Sequence, residues 1–380
     1  MTTEDRIRHW LFQDALPVWG DRGVDRKNGG FVEYFALDGS DGGADYKRTR
    51  VTCRQIYVFS HAALMGWEDG EALARHGIEH LTGKAWMDDA GCFARRTTRE
   101  GEILDPTPDL YDLAFALFAL GWAYRATGDA DLVRWAHRSL DAIERHLRHP
   151  VEGYWHDAGK QGWRQQNPHM HLLEAALSVY EATRDERFAD LAREVAGLFT
   201  RRFFDLGTGT LAEFFTDEWQ RAPAPDGRLI EPGHQLEWAW ILTNHDRLLG
   251  GDTAAQTRAL IDFAERHGVD PQTGRTFNAV RDDGAPIDLG SRSWPNTERM
   301  KAAVALWDRD GTDPRPVIDA CANWLFSKYF DPAPRGMWID AFDADGQAVV
   351  DKIPTSTLYH VVLAFAEALR VLPDAGKTMA

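Results

Sequence analysis

Cysteine is scarce, with three residues (Cys53, Cys92 and Cys321) in a chain of 380. They stand far apart and form no CxxC, which excludes a disulfide framework and a zinc ribbon. Positive charge is also in deficit. Lys and Arg number 43 against 59 Asp and Glu, a formal net charge of −16, so a nucleic-acid partner is not expected because phosphates would be repelled. No run of about 18 apolar residues occurs, so no membrane span is expected. The opening MTTEDRIRHWLF lacks the apolar core of a secretory leader, and the expected compartment is the cytoplasm. A P-loop, a GxSxG, a credible GxGxxG and an HExxH are all missing. No cofactor and no metal is therefore expected.

Tryptophan, by contrast, is plentiful at 15 residues. Its apolar face packs cores and also stacks on the C–H face of a pyranose. Glycines add a second pattern. Six segments carry a glycine followed by aromatic or apolar alternation: GGFVEYF at 29, GCFARR at 91, GYWHD at 153, GTLAEFF at 209, GRTFNAV at 274 and GMWIDAF at 336. They recur roughly every 60 residues, the mark of a repeated supersecondary unit, and each reads as a short hairpin arm.

Between them lie helical patterns, with apolar residues at i, i+3, i+4 and i+7. They fall near 5–19, 51–67, 71–81, 109–127, 130–147, 167–183, 187–203, 233–250, 253–268, 294–307, 316–330 and 355–372. Asp109, Asn167-Pro168 and Thr355-Ser356 suit helix starts. The segments 110–124 and 357–367 are apolar nearly all round, as helices buried on both sides must be. Six pairs with a buried inner layer predict an all-α fold, an (α/α)6 barrel with short hairpins and loops gathered at one end. An open solenoid is the competing architecture. No linker interrupts the pattern, so 1–380 is expected to form one catalytic domain.

The inner helices carry polar residues that a core would not tolerate unpaired. Arg54 lies among Val51, Ile56, Tyr57 and Phe59. Asn167 and His171 share a face in NPHMHLLEA, while His169 points elsewhere. In EPGHQLEWAW, His234 stands in the first turn and Glu237 three residues on. The helix dipole disfavours an imidazolium there, so a neutral His234 able to accept a proton is expected, with Glu237 orienting it or binding a sugar hydroxyl. Trp294 and Glu298 are four apart in SRSWPNTERMKA, and His360 leads into VVLAF. Tyr111 and Trp86 are weaker candidates.

Taken together, RQIYVFS, the NxxxH of NPHMH, PGHxxEW, WPxTE and the late YH resemble the N-acylglucosamine 2-epimerase superfamily, in the family's order from about residue 29 to 367. The resemblance implies an (α/α)6 barrel. It also implies His234 and His360 as catalytic acid/base groups. Arg54 and His171 would hold sugar oxygens. Asn167, Glu237, Trp294 and Glu298 would be further pocket residues, and Tyr111 a weaker substrate contact. Arg228 resembles a loop arginine of the isomerases. The expected activity is aldose–ketose isomerisation of an unphosphorylated monosaccharide such as D-mannose through a cis-enediol(ate). The alternatives are a sugar 2-epimerase and, less favoured, an (α/α)6 glycoside hydrolase using Glu237, Glu298 or Asp109. The partner is a small sugar, and a homodimer is compatible with the sequence.

Overall fold

A computed structural model describes residues 1–375 of the chain. The first helical segment starts as α1 (Thr3–His9), capped by Thr2, whose hydroxyl accepts from the Asp5 N–H while the Asp5 carboxylate accepts from the Thr2 N–H. That reciprocal pair satisfies two orphan donors of the first turn. The segment then widens through Trp10–Ala15 and ends as α2 (Leu16–Arg22).

The remaining helices alternate between an inner and an outer layer. The inner ones are α3 (Thr49–Leu64), α5 (Leu110–Thr127), α7 (Asn167–Thr183), α9 (Pro232–Leu249), α11 (Ser293–Asp310) and α13 (Leu358–Ala375). The outer ones are α4 (Gly70–His80), α6 (Asp131–Leu147), α8 (Glu186–Leu198), α10 (Ala254–His267) and α12 (Arg315–Trp324). Each inner helix packs on the next, and α13 returns to pack on α3. The ring is therefore closed, as an (α/α)6 barrel and not a solenoid. The first segment fills the sixth outer position against α13, with Trp10 stacked 4.4 Å from Phe330 and edge-on to Phe365 at 5.7 Å. Inner helices such as α5, buried along nearly their whole length, need apolar residues on every face. No described helix is long and apolar enough to cross a membrane.

The glycine repeats connect each outer helix to the next inner one. Gly29, Gly91, Gly153, Gly209, Gly274 and Gly336 all have φ between 60° and 83°, a left-handed conformation that other residues adopt only at a cost. The arms that follow pair into two- and three-stranded antiparallel ribbons at one end of the barrel. Examples are Tyr46–Arg48 with Arg96–Thr98 and Ile103–Asp105, and Leu229–Ile230 with Ala279–Arg281 and Pro286–Asp288. Every inner helix begins at this same end, so its first turns converge on one mouth.

Candidate active site

A cavity of about 430 Å³ opens at that mouth. Arg54 from α3, Tyr111 from α5, Asn167 and His171 from α7, His234 and Glu237 from α9, Trp294 from α11 and His360 from α13 all line it. Each lies in the first two turns of its helix. Glu298 does not line the cavity. It sits behind the wall with no exposed side-chain surface, and its Oε1 is 2.7 Å from Nδ1 of His360. A neighbouring lobe of about 360 Å³ shares Arg48, Arg54, Tyr111, Asn167 and Ser356 with the cavity and adds Arg50, Arg95, Asp109 and His156.

Trp294 packs on both histidines. Its ring centroid is 5.2 Å from His234 and 5.3 Å from His360, at interplanar angles of 36° and 37°. Both histidines thus pack against one tryptophan in the cavity wall. Each engages a carboxylate through Nδ1, His234 with Glu213 at 2.9 Å and His360 with Glu298 at 2.7 Å. Their Nε2 atoms have no protein partner among the described residues. This leaves the more exposed ring nitrogen of each for a ligand.

The two rings differ in charge. Burial alone would depress His234, but the negative charges of Glu213 and Glu231 and the Glu213 hydrogen bond overcome it and carry His234 up to about 9. The neutral His234 expected from the helix dipole is therefore corrected. A full carboxylate charge in contact outweighs the partial charge of a helix end. His360 goes the other way. Burial, then Arg54, Lys301 and the neighbouring histidines, hold it well below the ordinary histidine value. The surroundings push the two rings in opposite directions, the kind of separation an acid/base pair needs.

Arg54 is 6% exposed and has no carboxylate partner among the described residues. It donates to Tyr111 Oη at 2.6 Å and to the Ser356 carbonyl at 3.2 Å, and its guanidinium lies 4.3 Å from the Phe115 centroid. Its Nε is buried without a partner. A guanidinium so placed is costly unless a ligand supplies the missing acceptor. Arg48 and Arg292, by contrast, are paired with Glu33 at 2.7 Å and Glu231 at 2.9 Å.

Several expectations need correction. The carboxylate that orients His234 is Glu213, on the arm after Gly209, and not Glu237. Glu237 instead approaches His171 and Glu174 on one side and His360 and Glu298 on the other. The tryptophans of EPGHQLEWAW seat the helix. Trp238 is buried and donates to Gln166 Oε1, and Trp240 packs on Lys301. Asn167 is inside the helix, after the N-cap residue Gln166. Arg228 is tied to Asp282 and Asp283 outside the cavity. Trp86 packs on Phe93 and Trp135, away from the site. Asp109 is a helix cap, accepting from the Asp112 N–H at 3.0 Å. His169 is buried between the Tyr154 N–H and the Gln165 carbonyl, apart from His171 as expected.

Three histidine–carboxylate trios have atoms within 4.8 Å: His171–Glu174–Glu237, Glu213–Glu231–His234 and Glu237–Glu298–His360. In each a protein cation already faces a carboxylate. Lys301 Nζ lies 2.7 Å from Glu298 and 3.8 Å from Glu237, and Arg292 holds Glu231.

A family model described as N-acylglucosamine 2-epimerase matches residues 29–364. The chain belongs to this family. It is 33% identical over 367 residues to a "Mannose-6-phosphate isomerase" of Rhizobium meliloti (strain 1021), covering 94% of each chain. It is 26% identical to a "D-mannose isomerase" of Marinomonas mediterranea, covering 90% of this chain and 92% of that one. In structure it resembles the cellobiose 2-epimerase of Bacillus thermoamylovorans B4167 at a TM-score of 0.87, with 22% identity and 97% and 98% of the two chains covered. That likeness shows the fold alone. As a member of this family the protein is a sugar isomerase or epimerase acting on a small-molecule substrate.

Proposed function

We propose that the protein is an aldose–ketose isomerase that interconverts an unphosphorylated pair of the D-mannose/D-fructose type by proton transfer through a cis-enediol(ate). Two histidines that line one cavity, each held through Nδ1 by a carboxylate and pushed in opposite directions by their surroundings, carry this reading. On the open-chain aldose, neutral His360 takes the C2 proton while His234 gives its Nε2 proton to O1. The enediol then returns a proton from O2 to His234, and His360 delivers its proton to C1. Each histidine ends as it began. Arg54, short of an acceptor, stabilises the negative charge that develops on O1 and O2 in a largely buried site.

A histidine held protonated to about 9 is a poor carbon base at neutral pH. This favours one carbon base, with the proton returned on the same face. The second reading is 2-epimerisation, in which His234 protonates the opposite face of C2. It has in its favour that both rings line one cavity and leave Nε2 without a protein partner among the described residues. Hydrolysis by Glu298 is disfavoured because that carboxylate has no exposed surface to reach a glycosidic oxygen. A neutral sugar fits because the rim arginines Arg48 and Arg292 are already paired with carboxylates.

The test is NMR in D2O with D-mannose and, in parallel, D-mannose 6-phosphate. Fructose labelled with deuterium at C1, from mannose, supports the proposal. Glucose labelled at C2 with little fructose replaces it by epimerisation. Turnover of the phosphate ester alone overturns the substrate assignment, and no exchange with any aldose overturns the proton-transfer reading.

A further inference from the structure

Lys301 has no exposed surface, and the mechanism above does not use it. It does not line the cavity. An isolated ammonium there would be very costly. Two carboxylates pair with it, Glu298 on its own α11 at 2.7 Å and Glu237 on α9 at 3.8 Å, and the charge of Glu174 on α7 adds to them from farther off. Burial opposes its charge, but these carboxylates raise it above the ordinary lysine value. Trp240 covers it, with Nζ 4.5 Å from the ring centroid.

We propose that Lys301 is a positioning residue, whose ammonium keeps Glu298 a carboxylate so that Glu298 accepts Nδ1–H of His360 and leaves the Nε2 lone pair facing the sugar. The proposal deepens the isomerase reading and rests on it.

The 2.7 Å bond between Glu298 and His360 can be made in two ways that differ by one proton and so by one unit of charge. A carboxylate can accept from Nδ1–H, which leaves Nε2 a base. A carboxylic acid can donate to Nδ1, which puts the imidazole proton on Nε2 and removes the base. Burial, and after it the charge of Glu237, favour the acid form of Glu298, which is the inactive one. Lys301, 2.7 Å away, is the cation that opposes them.

The other groups facing the pair are Glu174 and His171 from α7, Glu237 and His234 from α9, Tyr359 from α13 and Arg54 from α3. The Tyr359 hydroxyl is committed to Glu174 at 2.6 Å. His171, His234 and Arg54 act on the His360 ring. Without Lys301, burial and the Glu237 and Glu174 charges act on Glu298 unopposed. The pair then takes up one proton from solvent, so that Glu298 becomes the donor to Nδ1 and the imidazole proton sits on Nε2.

The test compares the wild type with K301M, K301R and the double variant K301M/E298Q. Methionine keeps an unbranched apolar stem under Trp240, and arginine keeps the charge. In the double variant an amide carbonyl accepts Nδ1–H without needing a neighbouring cation. Long-range 1H–15N NMR of the histidine rings reads the tautomer, and kcat and KM are measured against pH. The wild type is expected to show His360 as the Nδ1–H form. K301M is expected to switch to the Nε2–H form, with kcat reduced about 100-fold at neutral pH, KM little changed and the acidic limb of kcat moved to higher pH. K301R is expected to keep both the tautomer and the profile. The double variant is expected to recover the tautomer and part of kcat.

An unchanged tautomer and pH profile in K301M, with activity falling only as the folded fraction falls, would make Lys301 a structural ion pair and overturn the proposal. If K301M does not fold, the double variant decides, and an Nε2–H ring there overturns it. If the wild type turns over no aldose, the isomerase reading fails on its own while the tautomer measurement still decides the role of Lys301.

Discussion

Replacing Glu213 by Gln isolates the charge that makes His234 an acid. Glu213 Oε2 lies 2.9 Å from His234 Nδ1, and the same oxygen accepts from Gln166 Nε2 at 2.8 Å. A glutamine keeps the size and one acceptor and removes the charge. An opposite charge at contact distance moves a pKa by about 1–3. His234, carried up to about 9 in the native protein, should therefore fall to about 7 in the variant. At pH 8 a group titrating at about 9 is roughly nine-tenths protonated, and one titrating at about 7 roughly one-tenth. The kcat/KM for mannose should thus drop about tenfold at pH 8 and change little at pH 6.

Stability gives an independent readout of the same charge. A rise from 6.5 to about 9 corresponds to about 3 kcal/mol. The folded pKa is the raised one, so this stabilisation is fully present below 6.5 and is lost as pH rises through about 9. The variant's loss in chemical denaturation should be largest near pH 6 and fade above pH 9. The assay is a kcat/KM profile from pH 5.5 to 9.5 beside urea unfolding at the same values. An alkaline limb that stays near pH 9 in E213Q would refute the assignment of His234 as the charged partner of Glu213.

Arg54→Gln should lower kcat about 100- to 1,000-fold, the usual loss for a donor aimed at developing charge, with circular dichroism unchanged. Arg54→Lys should recover only part, because an ammonium cannot reproduce the fork that now reaches both Tyr111 and the Ser356 carbonyl. Gly336→Ala should destabilise by about 2 kcal/mol or more, since φ is 70° and a Cβ would meet the Asp14 carbonyl oxygen at 2.5 Å. A thermal melt shows this as a loss of several degrees with kcat/KM of the folded fraction unchanged. Dialysis against EDTA should leave mannose turnover intact, because Lys301 already supplies the cation between Glu237 and Glu298. A loss restored by a divalent ion would contradict that.

The sequence made the inner helices legible because their polar exceptions stand against apolar backgrounds. Arg54, His171, His234 and His360 each interrupt a buried pattern, and the barrel brings their helix starts to one mouth. Charge state was not legible. It depends on which carboxylate the fold presses against each ring, and for His234 that partner comes from a different element 21 residues away.

Yet Glu213 had a signal in the repeat itself. Four residues beyond the glycine of each unit stand Glu33, Arg95, Asp157, Glu213, Asn278 and Asp340, counted from Gly29, Gly91, Gly153, Gly209, Gly274 and Gly336. All are polar, in arms otherwise chosen for apolar packing. The left-handed turn starts each arm in the same direction, so this position recurs at the barrel rim. Glu33 binds Arg48, Arg95 binds Asp109 and Asp157, Glu213 binds His234, Asn278 binds Arg292 and Asp340 binds Ser293. Reading the repeat for its polar position, and not only for its glycine and aromatics, predicts a ring of rim residues that brace the starts of the inner helices. Lys301 carries no comparable signal. A lysine two turns into a helix reads as solvent-facing, and only the closing of the barrel around Glu174, Glu237 and Glu298 turns it inward.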